Sequence, residues 1–148
     1  MKVLSALSCL ILAAATSSLL GQTPIATTAT VAGTPDQKRG RLLFIQCRAC
    51  HEVKAGLPHK VGPNLNGMLG RKAGTAAGFT QYSPALRAWG QTWDLALLDK
   101  WIEKPSSVVP GNSMAFAGLT AARDRAALIG YLQTETDRKS TRLNSSHQ

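Results

Sequence analysis

The chain has 148 residues, with seventeen Lys and Arg against eight Asp and Glu, a formal charge of +9. That length holds one domain rather than several, and the basic excess narrows the partners to acidic proteins or anionic lipid headgroups. Nucleic acid is disfavoured, because the first residues read as an export signal and an exported protein seldom meets it.

That signal consists of Met1 and Lys2 followed by an apolar run over residues 3–15, broken only by Ser5 and Ser8. The run is short for a membrane span, which needs about 20 residues, and Ala13, Ala15 and Ser17 offer cleavage sites. Residues 1–21 therefore read as a signal peptide that takes Cys9 with it, the weaker alternative being an uncleaved anchor over residues 3–20. Residues 22–33 are rich in Thr and Ala, lack apolar periodicity and read as a flexible lead. The folded domain is expected over residues 34–136, where thirteen basic and seven acidic side chains leave about +6.

Thr34-Pro35-Asp36-Gln37 combines an N-cap candidate, proline at the first helical position and an acid in the first turn. A helix is expected from there to about Cys47, with Leu43 and Phe44 as its apolar side and Gly40 as a notch that lets another helix cross closely. Its end meets Cys47-Arg48-Ala49-Cys50-His51, two thiols three residues apart followed directly by an imidazole. This is the pattern of covalent c-type haem attachment: both sulfurs reach one side of a turn and form thioethers to the two vinyl groups, while His51 falls beneath the iron as first axial ligand. A thioredoxin-like dithiol would need a strand and a βαβ context, and a structural zinc site would need four ligands. Neither is present.

Residues 56–78 form a long loop with Pro58, Pro63, Asn64, Asn66 and several glycines. Connections beyond about 12 to 15 residues are usually functional or disordered, and a haem edge to wrap accounts for this one. Ser83-Pro84 starts a short helix to Trp89, and residues 92–104 carry a third main helix stopped by Pro105. The last main helix is expected over residues 120–134, capped by Thr120, with Ala127, Leu128, Tyr131 and Leu132 on one face. Nothing alternates convincingly at period two, so the fold class is all-α, with three main helices, a short one and long loops. Residues 137–148 include one frame of a common sequencing-adapter oligonucleotide and lack an amphipathic period, so they read as a non-native tail.

Haem iron that only passes electrons is six-coordinate, so a second ligand is needed. Met1, His59, Met68 and Met114 are the candidates. Met1 leaves with the signal, and His59 lies only eight residues from His51, which makes the opposite haem face hard to reach. Met114 is preferred, because Pro110 and Gly111 bend the chain between two helices and let its side chain point inward. Met68 reads as loop packing.

Over residues 34–136 the chain resembles the class I cytochrome c family. The resemblance rests on Cys47 to His51, Gly62-Pro63-Asn64-Leu65, Gly70-Arg71-Lys72-Ala73-Gly74, Gly78-Phe79, Trp93, Pro105, Pro110-Gly111, Met114-Ala115-Phe116-Ala117-Gly118 and Leu128-Ile129-Gly130-Tyr131-Leu132. It implies one haem c, covalent through Cys47 and Cys50 and ligated by His51 and Met114. The Pro63 carbonyl would accept a hydrogen bond from His51, and Arg71, Tyr82 and Trp93 would face the inner propionate. The family's helix crossing sets Gly40 and Phe44 against Leu128 and Tyr131, and His59 matches a histidine that ties loops together.

The departures are equally specific. Trp101 stands where many members have a Tyr near the Met sulfur, and Tyr82 aligns only with one residue inserted after Phe79. Asn112 and Ser113 stand where mitochondrial members have Thr and Lys, and Ser106 and Ser107 replace further lysines of their docking ring, leaving Lys60 and Lys104 near the expected haem edge. The resemblance implies a periplasmic, monomeric electron carrier and no enzyme, with a cytochrome reductase, oxidase or dehydrogenase as redox partner and no membrane insertion once the signal is cleaved. Its rivals are a haem peroxidase or gas sensor with a labile Met114, and a fixed subunit of a larger complex.

Overall fold

The computed structural model describes residues 34–144, with side chains beyond Thr136 outside the described set. The expected signal at 1–21, the lead at 22–33 and residues 145–148 lie outside the described residues. Five helices follow in order: α1 Pro35–Arg48, α2 Pro84–Trp89, α3 Leu95–Glu103, α4 Pro105–Val108 and α5 Ala122–Asn144. Among the described residues the only β feature is one isolated antiparallel bridge between Lys72 and Thr92, as the all-α expectation requires.

α1 starts as its sequence dictates. The Thr34 hydroxyl accepts from the Gln37 N–H at 3.3 Å, and the Gln37 side chain accepts from the Thr34 N–H at 3.1 Å, a closed capping box. Along the helix Gly40 is buried against α5, where a Cβ would overlap the Ala127 carbonyl oxygen and lie 2.7 Å from the Tyr131 Cβ. The notch read from the sequence is therefore real. One turn on, Phe44 meets Tyr131 with ring centroids 5.4 Å apart, and Phe44 and Leu128 both belong to the buried core.

Three boundaries differ from expectation. α3 begins at Leu95, because Asp94 takes the N-cap and accepts from the Leu97 N–H at 2.7 Å, while Trp93 is held outside the helix by its N–H bond to the Arg71 carbonyl. Pro105 ends α3 and at once opens α4, a one-turn helix that was not expected; its missing N–H and fixed φ suit a first helical position. α5 starts after Ala121, one residue later than expected from Thr120, and runs on to Asn144 instead of stopping near residue 134. No glycine or proline follows Gly130, so a helix nucleated by the packed half propagates at little cost.

Arg125 ties α5 to α3. Its buried guanidinium bonds Asp99 Oδ1 at 2.8 Å, pairs with Glu103 at 3.4 Å, and donates to the carbonyls of Leu119 and Thr120 at 3.1 and 2.7 Å. These contacts fix the end of the segment that carries Met114.

The crossing sets a measurable expectation. Gly40→Val forces α1 away from α5, and overpacking of this kind costs about 1–3 kcal/mol. The haem-loaded protein should melt roughly 5–15 °C lower in a thermal scan. An unchanged melting temperature would show that the two helices do not need their close approach.

Candidate haem site

The attachment motif sits where α1 runs out. The N–H groups of Cys50 and His51 both bond the Cys47 carbonyl, at 3.1 and 2.9 Å, and this turn brings the two thiols and the imidazole to one side. They form one wall of a large, mostly apolar cleft. All eight expected site residues border it: Cys47, Cys50, His51, Pro63, Arg71, Tyr82, Trp93 and Met114.

His51 Nδ1 lies 2.8 Å from the Pro63 carbonyl, which can only accept, so Nδ1 carries the proton and Nε2 keeps its lone pair for a metal. Burial pushes the His51 pKa down, only partly opposed by the Pro63 hydrogen bond and reinforced by the Lys60 charge. The neutral, ligating form is thus favoured. Burial, with help from the neighbouring Cys50, pushes the Cys47 thiol up to about 11. That is the opposite of a redox dithiol, whose attacking thiol is held low.

Across the cleft, Asn112 shapes the approach of Met114: its carboxamide oxygen accepts from the Met114 N–H at 3.0 Å while its nitrogen donates to the Val109 carbonyl at 2.9 Å. Met68 also borders the cleft, buried in the turn five residues after Pro63, where its N–H bonds the Leu65 carbonyl at 3.1 Å. Trp101, in the place of the familiar Tyr, is buried and edge-on to Trp93 at 5.3 Å, with Trp89 stacked at 6.2 Å.

Arg71 and Trp93 are fixed side by side, Trp93 bonding the Arg71 carbonyl at 3.0 Å and Gly70 bonding that of Trp93 at 2.8 Å. The Arg71 guanidinium donates to the carbonyls of Asn66 and Asn64 at 3.2 and 3.3 Å, which leaves further N–H groups for an anionic oxygen. The Tyr82 hydroxyl accepts from the Ala76 N–H at 3.2 Å and retains its own proton to donate. His59 is no ligand: Nδ1 accepts from the Asn64 N–H at 2.9 Å and Nε2 donates to the Ala77 carbonyl at 2.8 Å, occupying both ring nitrogens.

Three supporting residues were not given a role from the sequence. Gly62 lies under the His51 ring, where a Cβ would sit 2.7 Å from Nδ1 and closer still to Cε1; Asn112 is the second. Buried Asn64 is the third, donating to the carbonyls of Lys54 and Leu57 at 2.8 and 2.9 Å and accepting from the Asn66 N–H at 2.8 Å. The Gly62-Pro63-Asn64 string was the available signal.

Two docking expectations need correction. The Lys60 ammonium is not a free rim charge: it donates to the carbonyls of Arg48 and His51 at 2.8 and 3.2 Å and lies 3.8 Å from Glu52. Lys104 does not border the cleft and instead groups with Lys100, Glu103 and Thr120 at a separate shallow depression.

The donor set fits a haem. Two thiols and an imidazole with a free Nε2 face an apolar cavity, with a thioether sulfur and a group of N–H and O–H donors around the same space. Fold and site together define a small helical protein built on a c-type attachment motif. Cytochrome c2 of Rhodomicrobium vannielii is 45% identical over 100 residues, covering 68% of this chain and 79% of that protein. Cytochrome c2 iso-2 of Magnetospirillum fulvum is 50% identical over 91 residues, covering 62% and 93%. The solved structure of cytochrome cH from Methylobacterium extorquens superposes with a TM-score of 0.62 at 38% identity, covering 67% of this chain and 98% of that one. No family model matches the chain. The chain belongs to the class I cytochrome c family. Its cofactor is haem c, attached through Cys47 and Cys50, and members of the family carry electrons rather than act as enzymes.

Gly62 offers a direct check. Gly62→Ala must tilt the His51 ring or push the loop outward, weakening the Pro63 bond and the electron density it lends to Nε2; the haem-loaded variant should show a higher reduction potential or a shifted visible spectrum, with thioether attachment intact. A variant indistinguishable from wild type in both would show that the ring has room to spare.

Proposed function

We infer that the protein is a periplasmic carrier of single electrons, with His51 and Met114 as the axial ligands of its haem. The observation that carries this reading is the convergence on one apolar cleft of Cys47, Cys50, a His51 whose proton is fixed on Nδ1, and Met114. Haem iron supplies reversible one-electron reduction. The chain supplies the rest: His51 offers Nε2 with its ring plane set by Pro63 and Gly62, and Met114 offers a soft sulfur from a segment held at Asn112 and Arg125. His/Met ligation raises the potential, suiting the high-potential end of a respiratory chain. Met68 is assigned to packing, because it belongs to the turn just after Pro63, on the segment that already holds the His51 ring.

Arg71, Tyr82 and Trp93 serve the inner propionate, since a buried carboxylate without donors would be costly. Periplasmic location is supported by the signal-like residues 1–21, and among the described residues no helix is long and apolar enough to cross a membrane. The domain is assigned to residues 34–136, ending at buried Thr136, with residues 137–148 as foreign sequence. The partners are a cytochrome reductase, oxidase or dehydrogenase, met by a monomer.

The ligand assignment is tested by two variants. Met114→Ala should keep the haem attached, lose the sulfur-to-iron charge-transfer band, bind cyanide and carbon monoxide readily and drop in potential. Met68→Leu, a volume-conserving change costing under about 1.5 kcal/mol, should do none of these. The converse pattern would reassign the ligand to Met68.

Docking should be mainly apolar. The cleft mouth is edged by Val61, 73% exposed, with exposed Ala115 and half-buried Phe116, while Lys60 is engaged internally. Electron transfer with the physiological partner should slow only modestly as salt shortens the screening length to about 3 Å, and Val61→Ser or Phe116→Ala should slow it more than Lys104→Gln. A steep salt dependence dominated by Lys104 would contradict this.

A further inference from the structure

All three tryptophans of the chain meet in one cluster. Trp93 and Trp101 are buried and border the haem cleft, whereas Trp89, the last residue of α2, is half-buried and does not border it. The Trp89 ring is stacked on Trp101 at 6.2 Å and edge-on to Trp93 at 5.5 Å, and Trp93 meets Trp101 at 5.3 Å, so all three rings are in direct contact. Among the described residues no side-chain nitrogen sealed from solvent lacks a partner, and the Trp89 indole makes no hydrogen bond, so its N–H reaches solvent. An unbroken run of indoles therefore leads from the wall of the cleft to the surface. The other aromatic contacts at the cleft differ in kind. Phe44 leads to Tyr131, and Tyr82 leads through Phe79 to His59, so each passes through a phenylalanine. Indole and phenol rings give up an electron far more readily than the ring of phenylalanine, and among these contacts only the tryptophan run is built of such rings throughout.

We propose that this run is a discharge route for a haem over-oxidised by hydrogen peroxide, with Trp89 as its outlet. Ordinary electron carriage does not use it, since an indole is much harder to oxidise than haem iron and keeps its electron against the ferric state. A haem whose distal position opens, however briefly, admits peroxide. The peroxide takes two electrons from the haem site and, with two protons from solvent, becomes two waters. Trp101 or Trp93 then gives one electron into the cleft and is refilled by Trp89, whose radical cation sheds its Nε1 proton to water. An external one-electron donor such as ascorbate returns the electron to Trp89, which takes a proton back from solvent. Two passes restore both electrons. Without the outlet, the oxidising equivalents are spent on the porphyrin and on the side chains around it. The route needs only the haem, whichever sulfur ligates it.

The test treats the secreted, haem-loaded protein with hydrogen peroxide, with and without ascorbate, and follows the visible haem band together with peptide mass spectrometry. Without ascorbate the wild type should gain oxygen on Trp89 before its haem absorbance falls; with ascorbate, Trp89 should stay unmodified and the haem should last longer. Trp89→Phe should bleach several-fold faster, collect oxidation at Trp93 and Trp101, and draw little protection from ascorbate. Trp89→Tyr, which restores an oxidisable ring of similar size to phenylalanine, should bleach at close to the wild-type rate. Before peroxide is added both variants should keep the wild-type visible spectrum and midpoint potential, which separates loss of the route from damage to the haem site. Equal bleaching of Trp89→Phe and Trp89→Tyr would reduce Trp89 to packing and overturn the proposal. So would oxidation confined to Tyr82, or a wild type whose haem and tryptophans peroxide leaves untouched.

Discussion

The contact on which the site depends is the hydrogen bond from His51 Nδ1 to the Pro63 carbonyl, 2.8 Å long, made beside a glycine that leaves no room for any other residue. It fixes the tautomer, the ring plane and the electron density at Nε2 in one step. Because the acceptor lies twelve residues downstream, the bond also closes the loop from 52 to 62, and that loop must be rigid for the bond to mean anything. The rigidity comes from buried Asn64 and from His59, whose ring joins the Asn64 N–H to the Ala77 carbonyl. A long loop in a small domain is entropically expensive, and here buried polar side chains take the place of regular secondary structure.

The same economy governs the core. A domain of about 100 residues buries little apolar surface, so each crossing has to be close. Gly40 lets α1 lie directly on the α5 backbone, and Phe44 fills the space one turn on against Tyr131. Phe44, Leu98, Trp101, Leu128 and Leu132 belong to the core and border the cleft as well, so a haem held there would complete a core that the chain only begins. Covalent attachment suits that arrangement, since loss of the cofactor would leave these core side chains facing an open cleft.

The outline of both fold and site was legible because the signals were local. Thr34-Pro35-Asp36-Gln37 closes the predicted cap, Gly40 makes the predicted crossing, and the thiol spacing with its following histidine brings the attachment groups to one wall. What escaped reading depends on the third dimension. Asp94 won the N-cap of α3 because Trp93 was already committed to the Arg71 strand-like pairing, a contact twenty-two residues away in sequence. α4 looked like a stop because proline both ends one helix and begins another. Gly62 read only as one glycine among several in a long loop, although its role is set by an imidazole eleven positions earlier.

Lys60 shows how position in sequence and position in charge can part. By alignment it belongs to the docking ring, yet in space its ammonium caps the carbonyls left open at the end of α1, with the Glu52 carboxylate nearby. That carboxylate is held below its usual range, first by the Val53 N–H and then by its other neighbours, so it stays ionised and the group remains balanced. A cation so used holds the attachment turn in place, with part of its charge offset by Glu52. Exposed cations that form no ion pair, among them Lys38, Arg41, Lys54, Lys72, Lys100 and Lys104, lie outside the lining of the cleft. These charges thereby stand apart from the cleft, whose mouth at Val61, Ala115 and Phe116 is apolar, so long-range attraction and close contact draw on different residues.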